Sequence, residues 1–159
     1  MNNSISQYID SFQTVYEGEP WYGRSIISIL KTIPPSRAYR KSTGEQHSIY
    51  EIVEHLLVWR ELFVKRLNGD HSSSIKMNSP SDWPGLPTAQ TAANWDALLT
   101  RLDENQHRLI NSLKELNDEM LNNEFAQTKV TLDEHLEGHL QHDIYHLGQI
   151  ALLNKLYVE

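Results

Sequence analysis

The segment Thr131–Leu156, TLDEHLEGHLQHDIYHLGQIALLNKL, holds four of the chain's eight histidines, at His135, His139, His142 and His146. Their offsets are i, i+4, i+7 and i+11. At about 100° per residue all four project within roughly 60° of one another on a helix. Leu132, Leu136, Leu140, Leu147 and Ile150 mark the core side of the same helix, and the histidine stripe lies roughly 100° from it. Leu153 and Tyr157 continue the stripe's own direction, which turns it toward the bundle rather than toward water. Thr131 and Glu134 form a capping-box signature that opens this helix.

Working outward, the other strong segments are also helical. Ser48 and Glu51 make a second capping box, and the helix it announces runs to about Leu67, before Asn68-Gly69. Ile49, Ile52, Val53, Leu56, Phe63 and Leu67 form its core stripe. A further helix is expected from about Ala92 to Leu116, with Trp95, Leu98, Leu99, Leu102, Leu109, Leu113 and Leu116 on its buried edge. Helical spacing also covers Ile5–Tyr16 and Trp21–Ile33. Gly18 and Pro20 separate these two runs or bend one helix between them, and Pro34-Pro35 ends the second.

Residues 34–47 read as a polar connection. Residues 68–90 lack any sustained period and contain Pro80, Pro84 and Pro87; a loop of this length is commonly functional or mobile. Trp83 among those prolines points to a piece that packs down. No segment alternates with period 2. The expectation is an all-α four-helix bundle with an additional N-terminal helical segment, as one domain over residues 1–159.

Composition narrows the chemistry. With no cysteine, disulfides, thiolate metal ligands and a cysteine nucleophile are excluded, so a metal would rest on nitrogen and oxygen. The formal charge is −7 and the 14 basic residues are scattered, which disfavours nucleic-acid binding. MNNSISQYID has neither a basic start nor an apolar core, so no signal peptide is expected, and no run approaches the ~20 apolar residues of a membrane span. A soluble, cytoplasmic protein is the expectation.

His55 stands beside the apolar stripe of the 49–67 helix, with Ser48, Trp59 and Leu62 on its own side. Two histidines at i, i+4 on one helix and a third from a neighbour make a three-nitrogen metal site with an open position. His135 and His146 are roughly 16 Å apart along the axis at 1.5 Å per residue, so all four cannot share one ion. Spacing alone leaves His135/His139 and His142/His146 as alternatives, beside the plain reading of solvated surface histidines. His47 and His71 fall in connections, and His107 lies on the polar face of its helix. Capping explains Glu51 better than ligation does.

The segment His142-Asp143-Ile144-Tyr145-His146-Leu147-Gly148-Gln149-Ile150 resembles the last-helix motif of the DinB-like (YfiT-like) metalloenzyme family. Ser48 to Leu56 resembles that family's second-helix motif, and the likeness in order and spacing extends from about Trp21 to the end. The resemblance implies a four-helix bundle with a divalent metal, zinc or nickel, on His55, His142 and His146. It places His139 outside the ligand set, behind it or lining the pocket, and His135 in solvent.

It further implies a metal-dependent enzyme acting on a small molecule. That enzyme would be a thiol S-transferase joining a low-molecular-weight thiol to an electrophile, or a related hydrolase. Lacking cysteine, the chain would need an external thiol. The 68–90 loop, Trp59 and the Trp21 region are expected to shape the pocket, with Tyr145, His139 and Asp143 as candidates for a general base. The alternatives are a non-catalytic, stress-associated metal-binding or interaction module, and a metal-free bundle whose histidines line a surface or dimer interface. A homodimer through helix faces fits any of these.

Overall fold

A computed structural model describes residues 3–41 and 47–157. Among the described residues six α-helices follow one another: α1 Ile5–Tyr16, α2 Ile26–Leu30, α3 Pro35–Ala38, α4 Ile49–Leu67, α5 Ala92–Lys114 and α6 Leu132–Leu156. A 3-10 turn spans Asp118–Asn122. The described residues contain no β-strand, only an isolated bridge between Glu124 and Thr131. The architecture is all-α, as the periodicity implies.

The four long helices close a ring in which α4 packs on α5 and α6, and α1 packs on the same two. Both expected capping boxes form, Ser48 with Glu51 and Thr131 with Glu134. A third, Ser4 with Gln7, starts α1. Each satisfies backbone amides that a helix start otherwise leaves without partners.

The Trp21–Ile33 run is a separate element, and only Ile26–Leu30 of it is helical. Gly23 donates its amide to Pro20 O at 2.9 Å and takes φ +124°, a conformation that ends any continuous helix there. Pro34-Pro35 both stops that run and begins α3, where Pro35 occupies the first turn. The 34–47 connection is thus partly helical and partly buried, through Ala38 and Tyr39; residues 42–46 lie outside the described part. The short helices α2 and α3 supply the additional helical segment.

The apolar core has two ends. One gathers Ile26, Leu30, Ile49, Val53, Leu57, Trp95, Leu102, Leu147 and Ile150. The other gathers Ile5, Phe12, Phe63, Leu109, Leu113, Leu132 and Leu136. Between them, at the same level on three helices, lies a polar layer of Arg60, Gln106 and Asp143, all buried. Arg60 Nη1 meets Asp143 Oδ2 at 3.3 Å, and its other nitrogen Nη2 donates to Gln106 Oε1. The guanidinium also stands over the Tyr16 ring, 5.5 Å from its centroid, within reach of a cation–π contact. The 68–90 loop packs down as Trp83 implies: Asp82 is buried and Trp83 lies against the first core end.

Candidate metal centre

His55 projects from α4, and His142 and His146 project from adjacent turns of α6. His142 Nε2 is 3.1 Å from His55 Nε2 and 3.1 Å from His146 Nε2. Nitrogens bound to one ion at 2.0–2.1 Å in a tetrahedral arrangement would stand about 3.3 Å apart. Both of these separations are close to that spacing, and the three ligand atoms all lie within 4.8 Å of one another.

Their protonation is directed by what lies behind them. His55 Nδ1 is 2.9 Å from both the backbone oxygen and Oδ1 of Asp82. A carbonyl oxygen only accepts, so Nδ1 carries the hydrogen and Nε2 keeps its lone pair. His146 Nδ1–H likewise donates to Gln149 Oε1 at 2.6 Å, and Gln149 Nε2 donates to the Tyr145 hydroxyl at 3.1 Å. Two bare lone pairs therefore converge on His142 Nε2, while His142 Nδ1 is buried with no hydrogen-bond partner. One ring proton on His142 cannot satisfy both neighbours; a cation among the three satisfies all. The donor set fits a divalent metal.

Burial pushes His142 down to about 3, helped by facing His146 and His55. Burial pushes His146 down to about 4, and lowers His55 against the pull of Asp82. All three are neutral at pH 7, the form in which imidazole ligates. Asp82 is itself held by the Trp59 indole N–H at 2.8 Å and the Asn78 amide at 2.8 Å. Burial alone would raise its carboxyl; these donors and His55 bring it below the usual range. Trp83 stacks on His55 at 3.9 Å, and His47 stacks on the other face of Trp83 at 3.7 Å.

The three histidines border a cavity of about 790 Å³ that runs along α6 from Glu134 to Leu153, with the loop residues Met77, Asn78, Asp82 and Trp83 on another side. Among the described residues, the group able to hold an ion contains these three side chains and no fourth.

His139 lines the cavity without joining the group, its ring stacked on Phe63 at 4.0 Å. His135 is not in open solvent. It is partly buried at the cavity's end, against Phe125, with its Nε2 3.0 Å from the Thr128 hydroxyl. Thr128 belongs to the bridge-closed turn before α6, which folds back over the histidine. His71 and His107 are exposed, as expected.

Glu51 is occupied by Ser48 and by Lys41 at 2.8 Å, in keeping with its capping role. His47 does more than sit in a connection, since it backs Trp83 and lines the cavity. Trp21 is wholly exposed on the Pro20–Gly23 turn and lies outside the cavity wall. Asp143 is removed as a base candidate because it faces Arg60 in the core. Burial pushes its carboxyl up against the pull of that guanidinium. Tyr145 is exposed at the cavity and remains available.

Two residues of consequence escape sequence reasoning. Asp82 gives no local sign of its role beyond standing next to Trp83. Arg60 does leave a trace, because it interrupts the apolar series Val53, Leu56, Leu57 and Phe63 on α4.

A helical bundle with three convergent imidazoles at the edge of a cavity defines a class of candidate metal-binding proteins. A family model described as the DinB superfamily matches residues 24–150, and the chain belongs to that superfamily. Neither the curated proteins nor the solved structures gave a match to the chain.

Proposed function

We propose that this protein is a metal-dependent enzyme that holds zinc or nickel on His55, His142 and His146 and acts on a small molecule in the adjoining cavity. One observation carries the reading: three convergent Nε2 atoms face an open cavity, with no fourth protein ligand among the described residues. A purely structural zinc site would be closed by a fourth side chain.

The chain's own residues prepare this centre. Asp82 and Gln149 fix the tautomers of His55 and His146, and Trp83 clamps the His55 ring from its face. When bound there, the metal would supply Lewis acidity, bringing the pKa of a thiol or water at its open position toward or below neutrality. Family likeness favours thiol S-transfer to an electrophile over hydrolysis. The chain contains no cysteine, so the thiol would be an external low-molecular-weight one.

Elemental analysis of the untagged protein beside His55→Ala and His142→Ala tests the centre. About one zinc or nickel per chain, lost in both variants, is expected. Metal retained undiminished in both, or none taken up on reconstitution, would refute it. Turnover that requires added thiol would then separate transferase from hydrolase.

A further inference from the structure

The cavity beside the three histidines is mostly apolar, and among the described residues its wall carries histidines but no lysine or arginine. Ile52, Trp59, Met77, Trp83, Leu152 and Leu153 supply its apolar surface. Met77, Tyr145 and Leu152 are largely exposed, so this surface continues out to the mouth. The acidic members of the lining are Asp82 and Glu134. Asp82 is engaged by His55, Trp59 and Asn78, and Glu134 by the start of α6 at Thr131. Arg60 and Arg66 stand within electrostatic reach of His139, yet neither lines the cavity, and Arg60 faces Asp143.

From this wall we infer that the site takes a ligand with an uncharged, apolar body, aromatic or aliphatic, whose single polar head lies against the three histidines. The inference rests on the metal-centre reading only for where the head sits. A carboxylate or phosphate on the body, held away from the metal by the head, would lose its hydration against a wall without lysine or arginine. An ammonium group on the body would lose its hydration likewise, since Asp82 and Glu134 are already engaged by other partners. An uncharged body meets neither obstacle. Two aromatic side chains, Trp59 and Tyr145, offer it contact surface, while both faces of Trp83 are already covered by His55 and His47. A polar, multiply charged thiol is therefore the wrong shape of charge for this cavity, whatever chemistry occurs at its head.

Three probes sharing one head and one ring separate the cases: phenylmethanethiol, 4-(sulfanylmethyl)benzoate and 4-(aminomethyl)phenylmethanethiol. Binding is measured by calorimetry on the zinc-loaded protein and again on the metal-free protein. Phenylmethanethiol is expected to bind at least ~10-fold more tightly than either charged probe, with the same order and weaker binding when metal is absent. Leu152→Arg adds a cation at an exposed wall position and should narrow the gap to the benzoate to a few-fold at most.

Equal or tighter binding of a charged probe by the wild-type protein would overturn the inference. So would a gap to the benzoate that Leu152→Arg leaves unchanged. Failure to load zinc would refute the proposed metal function alone, and the order of the probes on the metal-free protein would still decide the character of the ligand.

Discussion

Asp82 shows how much a single side chain outside the histidine triad contributes. Its carboxylate and backbone oxygen both receive His55 Nδ1–H, and Trp59 and Asn78 hold the carboxylate in place. Asp82→Ala should weaken metal binding by about 10–100-fold, the usual cost of losing such an outer partner. Competition against a chelator of known affinity measures it; an unchanged affinity would remove Asp82 from the centre.

His139 couples the stability of the fold to pH. Burial first, then the facing His142 and His135, pushes it down to about 3, whereas in the unfolded chain it titrates near 6.5. Between those values the unfolded state binds more protons, so stability is full above about pH 6.5 and falls as pH drops toward 3. His142 and His146 add the same sign in metal-free protein. His139→Gln should therefore flatten, without abolishing, the acid slope of urea midpoints between pH 6.5 and 4.5.

The helices owe their boundaries to local chemistry, and local chemistry is what the sequence displays. Expected limits near Leu67 and Leu116 meet observed ends at Leu67 and Lys114, and both expected capping boxes form. Ser48 is buried, so its removal leaves the Glu51 amide and carboxylate short of a partner inside the protein. Ser48→Ala should cost about 1–2 kcal/mol, the upper part of the range for losing an N-cap. Thermal unfolding reads the loss, and metal stoichiometry should stay the same because His55 lies two turns further along. The short helices were less legible. The turn that isolates α2 depends on one glycine conformation, and α3 is a single turn whose Ala38, with the capping Tyr39, is kept by burial.

Across the whole molecule, the buried layer of Arg60, Gln106 and Asp143 ties together three of the four long helices, and Tyr16 brings in the fourth. Gln106 Nε2 also donates to Phe12 O on α1 at 3.3 Å. Arg60→Met would strand the Asp143 carboxylate and should destabilise by about 3–5 kcal/mol, while Arg60→Met with Asp143→Leu should recover most of the loss. Urea unfolding of the two variants measures this. A double variant no better than the single one would show that the arginine's packing, not its charge pairing, is what matters. Asp143 stands next to His142, so this layer also fixes the face that α6 turns to α4.

The all-helical class, the four long helices, the one-sided histidine stripe and the exclusion of thiolate ligands are all legible along the chain. Periodicity and caps depend on residues within about four positions of one another, so they can be read without a fold. Spacing left two histidine pairs open, and the choice of His142 and His146 came from family likeness. The tertiary structure alone brought His55 to His142 across 87 positions and Asp82 to His55 across 27. It also buried Arg60, turned Asp143 inward and set His47 behind Trp83. Those meetings depend on how helix and loop surfaces fit together in packing, and no local pattern in the chain records that fit.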